Sequence, residues 1–126
     1  MAFDALANQQ FMNLITVRKS GAQIPTPVWF AQSGDRVYVM TGRTAGKVKR
    51  IRNNPQVQVA PSDRTGNALG PSQLAQASIV SDPAEAATAN ALLTKKYGLM
   101  KRMFDLMALF NGGASSRAYI VITPQQ

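Results

Sequence analysis

Short runs in which apolar and polar residues alternate recur along this chain, and they constrain its fold more than any other feature. Residues 36–41 read RVYVMT and residues 56–60 read QVQVA. An alternation with a period of two is typical of a strand that buries only one face. The sequence predicts six strands in all, over residues 11–19, 24–32, 36–41, 56–60, 73–80 and 117–123. Two prolines, Pro25 and Pro27, place the second of these strands at an edge of the sheet or at an irregular start.

A short basic helix is predicted after the third strand, over residues 47–53. Thr44 is placed to act as its N-cap, and Gly46 loosens the entry into the helix. The helix ends at Asn54-Pro55, because the residue before a proline is pushed out of helical geometry. Val48 and Ile51 form a narrow apolar stripe on it, so the basic side chains face outward.

A long helix is predicted before the last strand. Asp82 is a capping residue, Pro83 takes the first helical position, and Glu85 is spaced to close a capping box. The helix extends toward Phe110, with Gly98 as a break. Its apolar residues cover more than one face, so the sheet buries one face and a second subunit is expected to bury another. These residues are Leu92, Leu93, Leu99, Met100, Met103, Phe104, Met107 and Phe110.

The predicted order of strands and helices favours a small antiparallel β-barrel of the α+β class over a parallel doubly wound sheet. The 126 residues contain no internal repeat and no linker, so residues 1–126 are expected to form a single domain. No apolar run approaches the roughly 20 residues that span a bilayer. The N-terminus, MAFDALANQQ, lacks the basic start and apolar stretch of a secretory signal. We therefore expect a cytoplasmic protein with no membrane partner.

The chain contains no cysteine and no histidine. These absences exclude a thiolate nucleophile, a Ser-His-Asp constellation and nearly every zinc site. None of the six carboxylates is spaced in a way that suggests a catalytic pair. If the protein is an enzyme, its chemistry is expected to come from a bound cofactor, and no metal site is predicted.

Residues 41–55 read TGRTAGKVKRIRNNP and hold five of the fourteen basic residues and no acidic one. A strand, a glycine-containing loop and a helix start follow one another here, an order that presents backbone N–H groups to an anion. The hydroxyls of Thr41 and Thr44 and the cations of Arg43 and Lys47 are expected within reach of that anion. The alternative is a basic helix that only faces solvent.

Three anions could bind such a segment: a nucleic-acid backbone, a membrane surface or the phosphate of a cofactor. Nucleic-acid sites usually interleave aromatic residues with basic ones, and this segment contains no aromatic residue. Tyr38 and Trp29 lie on neighbouring strands, so a stacking platform remains open. The compactness of the segment favours a small phosphate-bearing cofactor.

The sequences ITVRKSG and PTPVWFAQSGDRVYVMTGRTAGKVKRIRNNPQVQVAPSDRTG resemble the pyridoxamine-phosphate-oxidase-like superfamily of FMN-binding split barrels. They are most similar to its small flavin and deazaflavin oxidoreductases, which depend on coenzyme F420. The resemblance extends from about Phe11 to Pro124. It implies a six-stranded split barrel that forms a homodimer, with the cofactor in a groove at the subunit interface.

The resemblance also assigns roles to individual residues. The phosphate would be held by Thr41, Thr44 and Lys47 at the loop and helix start after the third strand. Residues 27–29 would line the ring of the cofactor, and Arg117 would reach the site from the far end of the chain. The further phosphate-site candidates are Arg43, Gly46, Lys49 and Arg50, and the three ring-lining residues are Pro27, Val28 and Trp29.

The chain departs from the family pattern at one point. Pyridoxamine-phosphate oxidases carry a Ser-Arg pair just before the matching lysine, whereas this chain has Ala45-Gly46. The departure argues against oxidation of pyridoxamine phosphate itself. The extra basic residues suit a cofactor with an anionic oligoglutamate tail, which favours coenzyme F420 over the alternative, FMN.

The function that the sequence predicts is hydride transfer from the reduced deazaflavin to an unsaturated small molecule. The sequence assigns no catalytic residue, and Tyr38, Tyr97 and Tyr119 are only candidate proton donors. Two other functions remain open. One is a split-barrel protein that holds a flavin without turnover. The other is a barrel that binds nucleic acid, and the lack of aromatic residues in the basic segment makes this function the less favoured one.

Overall fold

The computed structural model describes residues 3–98 and 117–125, which form one curled antiparallel sheet and two helices. A short 3-10 turn at Asp4–Leu6 precedes the sheet. The strands are β1 (Phe11–Val17), β2 (Gln23–Val28), β3 (Ala31–Ser33), β4 (Arg36–Gly42), β5 (Gln56–Ser62), β6 (Gln73–Ile79) and β7 (Arg117–Pro124). The helices are α1 (Gly46–Asn53), between β4 and β5, and α2 (Pro83–Tyr97), after β6.

The order of the strands in the sheet, β2-β1-β5-β6-β7-β4-β3, forces the sheet to curl. The two outermost strands, β2 and β3, are consecutive in the chain and are joined only by Trp29 and Phe30. Three peptide units span at most about 11 Å, so the opposite edges of the sheet must come close together. The α+β class and the curled antiparallel arrangement that the sequence predicts are therefore confirmed.

The predicted count of six strands is wrong, because the run over residues 24–32 forms two strands instead of one. Its first part pairs with β1 and its last part pairs with β4, at the two edges of the sheet. At the junction the backbone of Phe30 bonds to a side chain rather than to a strand. The Tyr97 hydroxyl accepts from the Phe30 N–H at 2.9 Å and lies 3.0 Å from the Phe30 carbonyl oxygen. The expected edge position of Pro25 and Pro27 is confirmed, since β2 is an outermost strand.

The inward-facing side chains of the strands form the main core, which α1 covers with its apolar stripe. Val48 and Ile51 of α1 are buried, as the spacing of the two residues predicts, and the helix packs against β1 and β6. The other helix lies outside the sheet. Its buried residues Ala89, Leu93 and Tyr97 pack against side chains on the outer face of β3, β4 and β7.

The first helix begins one residue later than a Thr44 cap requires, so that prediction is wrong. Its N-cap is Ala45, whose carbonyl oxygen accepts the first helical hydrogen bonds, from the N–H groups of Val48 and Lys49. Thr44 lies outside the helix for this reason, and no side chain caps the helix. The predicted end is confirmed, because Asn54 is extended and Pro55 follows it.

The start of α2 agrees with the sequence in two of three features. Asp82 is the N-cap, with its Oδ1 accepting from the N–H of Ala84 at 3.0 Å, and Pro83 begins the helix. Glu85 does not close a capping box. Its carboxylate pairs with Arg36 and accepts a hydrogen bond of 2.9 Å from the Tyr38 hydroxyl, which fastens α2 to β4.

The break at Gly98 is confirmed, since this residue has a φ of 54° and α2 ends at Tyr97. The prediction that a helix continues toward Phe110 lies outside the described residues. Six of the apolar residues from which the sequence predicts a helix with more than one apolar face also lie outside the described residues. They are Leu99, Met100, Met103, Phe104, Met107 and Phe110.

We expect Tyr97→Phe to destabilise the fold by about 1–3 kcal/mol, because it leaves the buried backbone polar groups of Phe30 without their partner. The hydroxyl also donates to the Gln10 carbonyl oxygen at 2.8 Å, so the change loosens two segments at once. The free energy of unfolding from urea titration measures the loss. Tyr38→Phe is the matched control and should cost less, because its hydroxyl bonds to the partly exposed Glu85. Equal losses in the two variants would contradict this role for Tyr97.

Candidate cofactor site

The basic segment that the sequence singles out forms a turn and a helix start beside the end of β4. The N–H of Ala45 donates to the carbonyl oxygen of Gly42 at 3.1 Å, which closes the turn. Arg43 and Thr44 are exposed within the turn. Because α1 follows immediately, its unpaired backbone N–H groups and its positive end lie at the same place.

Lys47 lies in the first turn of α1, and its ammonium group bends back toward β4. Its Nζ donates to Thr41 Oγ1 at 3.2 Å, and the side chain is half-buried. Burial, and then the positive charge of Arg50, lower the pKa of Lys47. No acidic side chain within the described ranges forms an ion pair with it. A half-buried ammonium beside a second cation favours the binding of an anion.

Arg50 lies one turn later on the same helix and ties α1 to β1. Its Nε donates to Thr16 Oγ1 at 2.5 Å, and Thr16 is fully buried. The guanidinium group then passes over Gly46. A Cβ atom on Gly46 would lie 2.8 Å from one terminal nitrogen of Arg50, so only glycine leaves room for this arrangement.

The structure brings together part of the predicted phosphate site. Thr41, Gly46, Lys47 and Arg50 lie together, with Arg43 and Thr44 at the exposed edge of the turn. Lys49 is exposed, and its side chain forms no hydrogen bond or ion pair with the described part of the chain. Arg117 is the direct cross-strand partner of Gly42, so the last strand brings it beside the turn.

Sequence reasoning missed Thr16. It follows Met12 and Leu14 in the inward register of β1, where all three residues are fully buried. A single hydroxyl in an otherwise apolar inward row was the signal that could have identified it, because buried polar groups are nearly always hydrogen-bonded.

The predicted ring-lining residues lie at one edge of the sheet. Pro27 and Val28 belong to the outermost strand β2, and Trp29 follows it. Val28 pairs with Met12 on β1, four residues before Thr16, which corresponds to about 13 Å along the strand. The Trp29 ring stacks on the Tyr97 ring, with centroids 4.4 Å apart and planes 9° from parallel. One face of the indole is therefore already covered, and a ligand would have to contact another part of it.

A buried acceptor without a partner lies next to Pro27. The side chain of Asn13 donates from Nδ2 to the Gly66 carbonyl oxygen at 2.7 Å, whereas its Oδ1 accepts nothing from the residues described. Asn13 is only 5% exposed and is the cross-strand partner of Pro27. A buried unsatisfied oxygen costs free energy, so a donor from a bound group would stabilise this part of the sheet.

A third group of side chains lies beside Trp29. The ammonium of Lys96 lies 3.5 Å from the centroid of the Phe30 ring, and burial lowers the pKa of Lys96 to about 8. The Tyr97 hydroxyl, which bonds to the Phe30 backbone, has a pKa that burial raises to about 12. Lys96 and Tyr97 also line a hollow of about 330 Å³ with residues 8–10.

The described residues contain no group of three acidic side chains that could hold a metal ion. Nor does any helix within residues 3–98 have the length and apolar character needed to cross a membrane. Among the described residues, Lys47 and Arg50 beside the basic turn form no ion pair with an acidic side chain.

A profile of the pyridoxamine 5'-phosphate oxidase family matches residues 2–126, which is nearly the whole chain. The chain belongs to this family. None of the curated proteins matches it. The family assignment agrees with the resemblance seen in the sequence from about Phe11 to Pro124 and with the curled antiparallel sheet.

Several solved structures share the fold at low sequence identity. An F420 reductase is 21% identical over 97% of this chain and 91% of its own, with a TM-score of 0.60. An FAD-binding protein from Mesorhizobium loti is 17% identical over 99% of this chain and 88% of its own, with a TM-score of 0.68. The heme storage protein HutZ from Vibrio cholerae is 19% identical over 94% of this chain and 84% of its own, with a TM-score of 0.69. At these identities, the likeness concerns the fold.

We expect Gly46→Ala to displace the Arg50 guanidinium while leaving the fold intact. The new methyl group occupies the place of a flexible side-chain end, and alanine favours the helix by up to about 1 kcal/mol. The loss of the Arg50–Thr16 hydrogen bond offsets that gain by about 1 kcal/mol. The readouts are the Arg50 Nε–H signal in NMR spectra and the thermal unfolding midpoint. Gly42→Ala is the control, since its Cβ would meet no atom within 4 Å. An unchanged Arg50 signal in Gly46→Ala would contradict the arrangement.

Proposed function

We propose that this protein binds the deazaflavin coenzyme F420 in a groove between two subunits and transfers hydride from it to an unsaturated small molecule. The observation that carries the proposal is the pair of cations, Lys47 and Arg50, held at a helix start by two threonine hydroxyls. Family membership and the existence of an F420 reductase with the same fold support it.

In this proposal the cofactor phosphate contacts the Lys47 ammonium, the Arg50 guanidinium and the backbone N–H groups at the start of α1. Charge-assisted hydrogen bonds of this kind are stronger than neutral ones. Thr41 and Thr16 act through the two cations, since their hydroxyls fix where the positive groups point. Arg43 and Thr44 add contacts from the exposed side of the turn.

Pro27, Val28 and Trp29 would contact the ring of the cofactor, and the Asn13 oxygen beside Pro27 would accept a hydrogen bond from it. The hydride chemistry is supplied by the bound deazaflavin, while the protein orients the reactants and excludes water. We assign no catalytic residue. The hydroxyls of Tyr38, Tyr97 and Tyr119 each bond to a protein oxygen, so solvent is the proton source that we propose.

The departure at Ala45-Gly46 argues against oxidation of pyridoxamine phosphate as the activity. The family pattern has an arginine where this chain has Gly46, and the Arg50 guanidinium lies over that glycine instead. The positive charge near position 46 therefore comes from Arg50, which lies one turn later in the helix. In this proposal Arg50 supplies the positive charge that the arginine of the family pattern would supply.

FMN is the alternative cofactor, in an oxidoreductase or in a protein that holds a flavin without turnover. The family match and the FAD-binding relative favour this alternative. Heme storage, the function named for one relative, is less favoured here, because the chain has neither histidine nor cysteine as an axial ligand.

Nucleic-acid binding is the second alternative, and two contacts weigh against it. Tyr38 is only 4% exposed, and the Trp29 ring is stacked on Tyr97. Tyr38 is thereby unavailable for stacking on a base, and Trp29 has one face covered. Single-strand binding without stacking would leave only phosphate contacts, which bind weakly at physiological salt.

We expect Lys47→Ala to weaken the binding of either cofactor about tenfold to a hundredfold, because it removes a charged partner of the phosphate. Titration of the cofactor-free protein, followed by the emission of the lone tryptophan and by cofactor fluorescence, measures the change. Lys49→Ala is the control on the same helix, since Lys49 is exposed and makes no contact with Thr41.

The affinity should also fall as the pH rises through the pKa of Lys47. In the free protein this pKa lies below the ordinary lysine value of 10.5, so the fall should begin at a lower pH than for an exposed lysine. Tighter binding of F420 than of FMN supports the proposed cofactor, and the reverse supports the alternative. If neither binds but polynucleotides do, with a steep salt dependence, the proposed function is wrong.

The proposed groove requires a homodimer, and an exposed apolar surface offers a place for the second subunit. Leu74 on the outer face of β6 and Leu69 in the loop before it are each 60% exposed. Leu74 lies opposite Gln58, which in turn lies opposite Ile15, so on this face a polar residue separates two apolar ones. Large exposed apolar side chains on a sheet face are typical of a covered interface.

We expect the wild-type protein to have the mass of two chains in solution and Leu74→Glu to have the mass of one. A buried, unpaired carboxylate at the interface opposes association. Light scattering coupled to size-exclusion chromatography measures both masses. Ala87→Glu, on the exposed side of α2, is the control and should leave the mass unchanged. A monomeric wild type would contradict the groove between subunits.

A further inference from the structure

A lysine near the end of α2 lines a hollow that the phosphate site does not include. Lys96 borders this hollow, of about 330 Å³, together with Tyr97 and with three residues that carry side-chain amides, Asn8, Gln9 and Gln10. No residue of the basic turn belongs to the lining, and no acidic residue does. The hollow therefore combines an uncharged polar surface with a single amine.

Hydrogen bonds hold the two walls of this hollow. The Tyr97 hydroxyl donates to the Gln10 carbonyl oxygen at 2.8 Å, which joins α2 to the segment before β1. In that segment the Gln9 N–H donates to the Leu6 carbonyl oxygen at 3.1 Å. Asn8 has a φ of 64°, in the left-handed region that asparagine adopts more readily than most residues. The fold therefore forms the hollow without help from a ligand.

The side chain of Lys96 turns its amine inward. Its Nζ lies 3.5 Å from the centroid of the Phe30 ring and 5.3 Å from that of the Tyr97 ring, and Phe30 is fully buried. A lysine at a helix surface usually keeps its charged end in water. Within the described part of the chain, this amine forms no hydrogen bond or ion pair. Its neighbours are thus aromatic rings rather than a carboxylate.

Burial makes the uncharged form of this amine accessible near neutral pH. It lowers the pKa of Lys96 to about 8. About one such amine in ten is then neutral at pH 7, against roughly one in 2,500 for a lysine with the ordinary pKa of about 10.4. The neutral form is the nucleophile, because its lone pair is free to attack a carbonyl carbon.

Few titratable groups face Lys96 from the elements around it. On α2, burial raises the pKa of Tyr97 to about 12, so its hydroxyl stays neutral, and Lys95 is exposed. The acidic residue of the N-terminal turn, Asp4, does not line the hollow. The connection between β2 and β3 contributes only aromatic side chains. Among the described residues that line the hollow, no carboxylate retains the proton on the amine.

We propose that the amine of Lys96 captures short hydroxyaldehydes as an imine in this hollow. The neutral Nζ attacks the carbonyl carbon and forms a C–N bond, and the oxygen takes the carbonyl electron pair and the first amine hydrogen. The C–O bond then breaks, and water leaves with the second amine hydrogen. This step requires no oxidant or reductant. The hydroxyl groups of the aldehyde match the amides of the lining, which both donate and accept hydrogen bonds.

The burial of Lys96 also favours the product of this reaction. An ammonium group over a buried ring has lost part of its hydration, and that cost disappears when the amine becomes a neutral imine. Neither the basic turn nor a bound cofactor takes part in the capture. The inference therefore does not depend on the proposed function.

The experiment treats the protein with glyceraldehyde and sodium cyanoborohydride, which reduces an imine to a stable amine, and locates the adducts by peptide mass spectrometry. We expect Lys96 to be modified about tenfold faster than the exposed Lys95 at pH 7. The larger neutral fraction outweighs the lower nucleophilicity of a weaker base. The rate at Lys96 should rise with pH and level off above about pH 8, where most of the amine is neutral.

Two comparisons test the hollow itself. Gln9→Trp fills it and should slow the modification of Lys96 to the rate of Lys95, while thermal unfolding checks that the variant is folded. Ala7→Trp is the matched control, because Ala7 is exposed in the same segment and does not line the hollow. With propanal, which has no hydroxyl group, the ratio of the rates at Lys96 and Lys95 should be smaller.

Three results would count against the proposal. It is overturned if glyceraldehyde modifies Lys96 no faster than Lys95 in the wild type. It is also overturned if Gln9→Trp, once shown to be folded, leaves the rate at Lys96 as high as Ala7→Trp does. An equal ratio of rates for glyceraldehyde and propanal overturns the selection of hydroxyaldehydes.

Discussion

The hydroxyl of Tyr97 holds the point at which the chain passes from one edge of the sheet to the other. It bonds to the backbone of Phe30 and to the carbonyl oxygen of Gln10, which lies just before β1. Without these bonds, the polar groups of Phe30 would be buried with no strand to pair with, because β2 and β3 belong to opposite edges. A side chain from the helix α2, which packs outside the sheet, therefore stabilises the short connection that makes the sheet curl.

The same curl brings together the residues of the proposed site. It brings β1 and β4, which are far apart in the strand order, to two sides of the helix α1, and each strand contributes one threonine. Thr16 directs Arg50 and Thr41 directs Lys47. The bonds that fasten α1 to the sheet are thus also the bonds that position its cations, so the stability of this helix and the affinity of the site are physically linked.

Within residues 3–98 and 117–125, three acidic side chains are engaged away from these cations. Asp63 orders its own loop through the backbone and side chains of Thr65 and Asn67, and those hydrogen bonds lower its pKa to about 2. Asp82 caps α2, and Glu85 fastens that helix to β4. These three carboxylates therefore serve local structure. None of these contacts is to a basic residue of the turn or of α1, which agrees with the anion site that we propose.

The sequence by itself determined the local structure: alternation located the strands, the proline after Asn54 ended α1, and the glycine after Tyr97 ended α2. These features depend on interactions between residues that are close in sequence, so they can be predicted without knowledge of the tertiary structure. The strand division at Phe30, the role of Thr16 and the hollow that Lys96 forms with residues 8–10 were decided only by the tertiary structure. Each of these three features involves residues from distant parts of the chain. A local sequence pattern does not predict which distant side chains the curled sheet brings into contact.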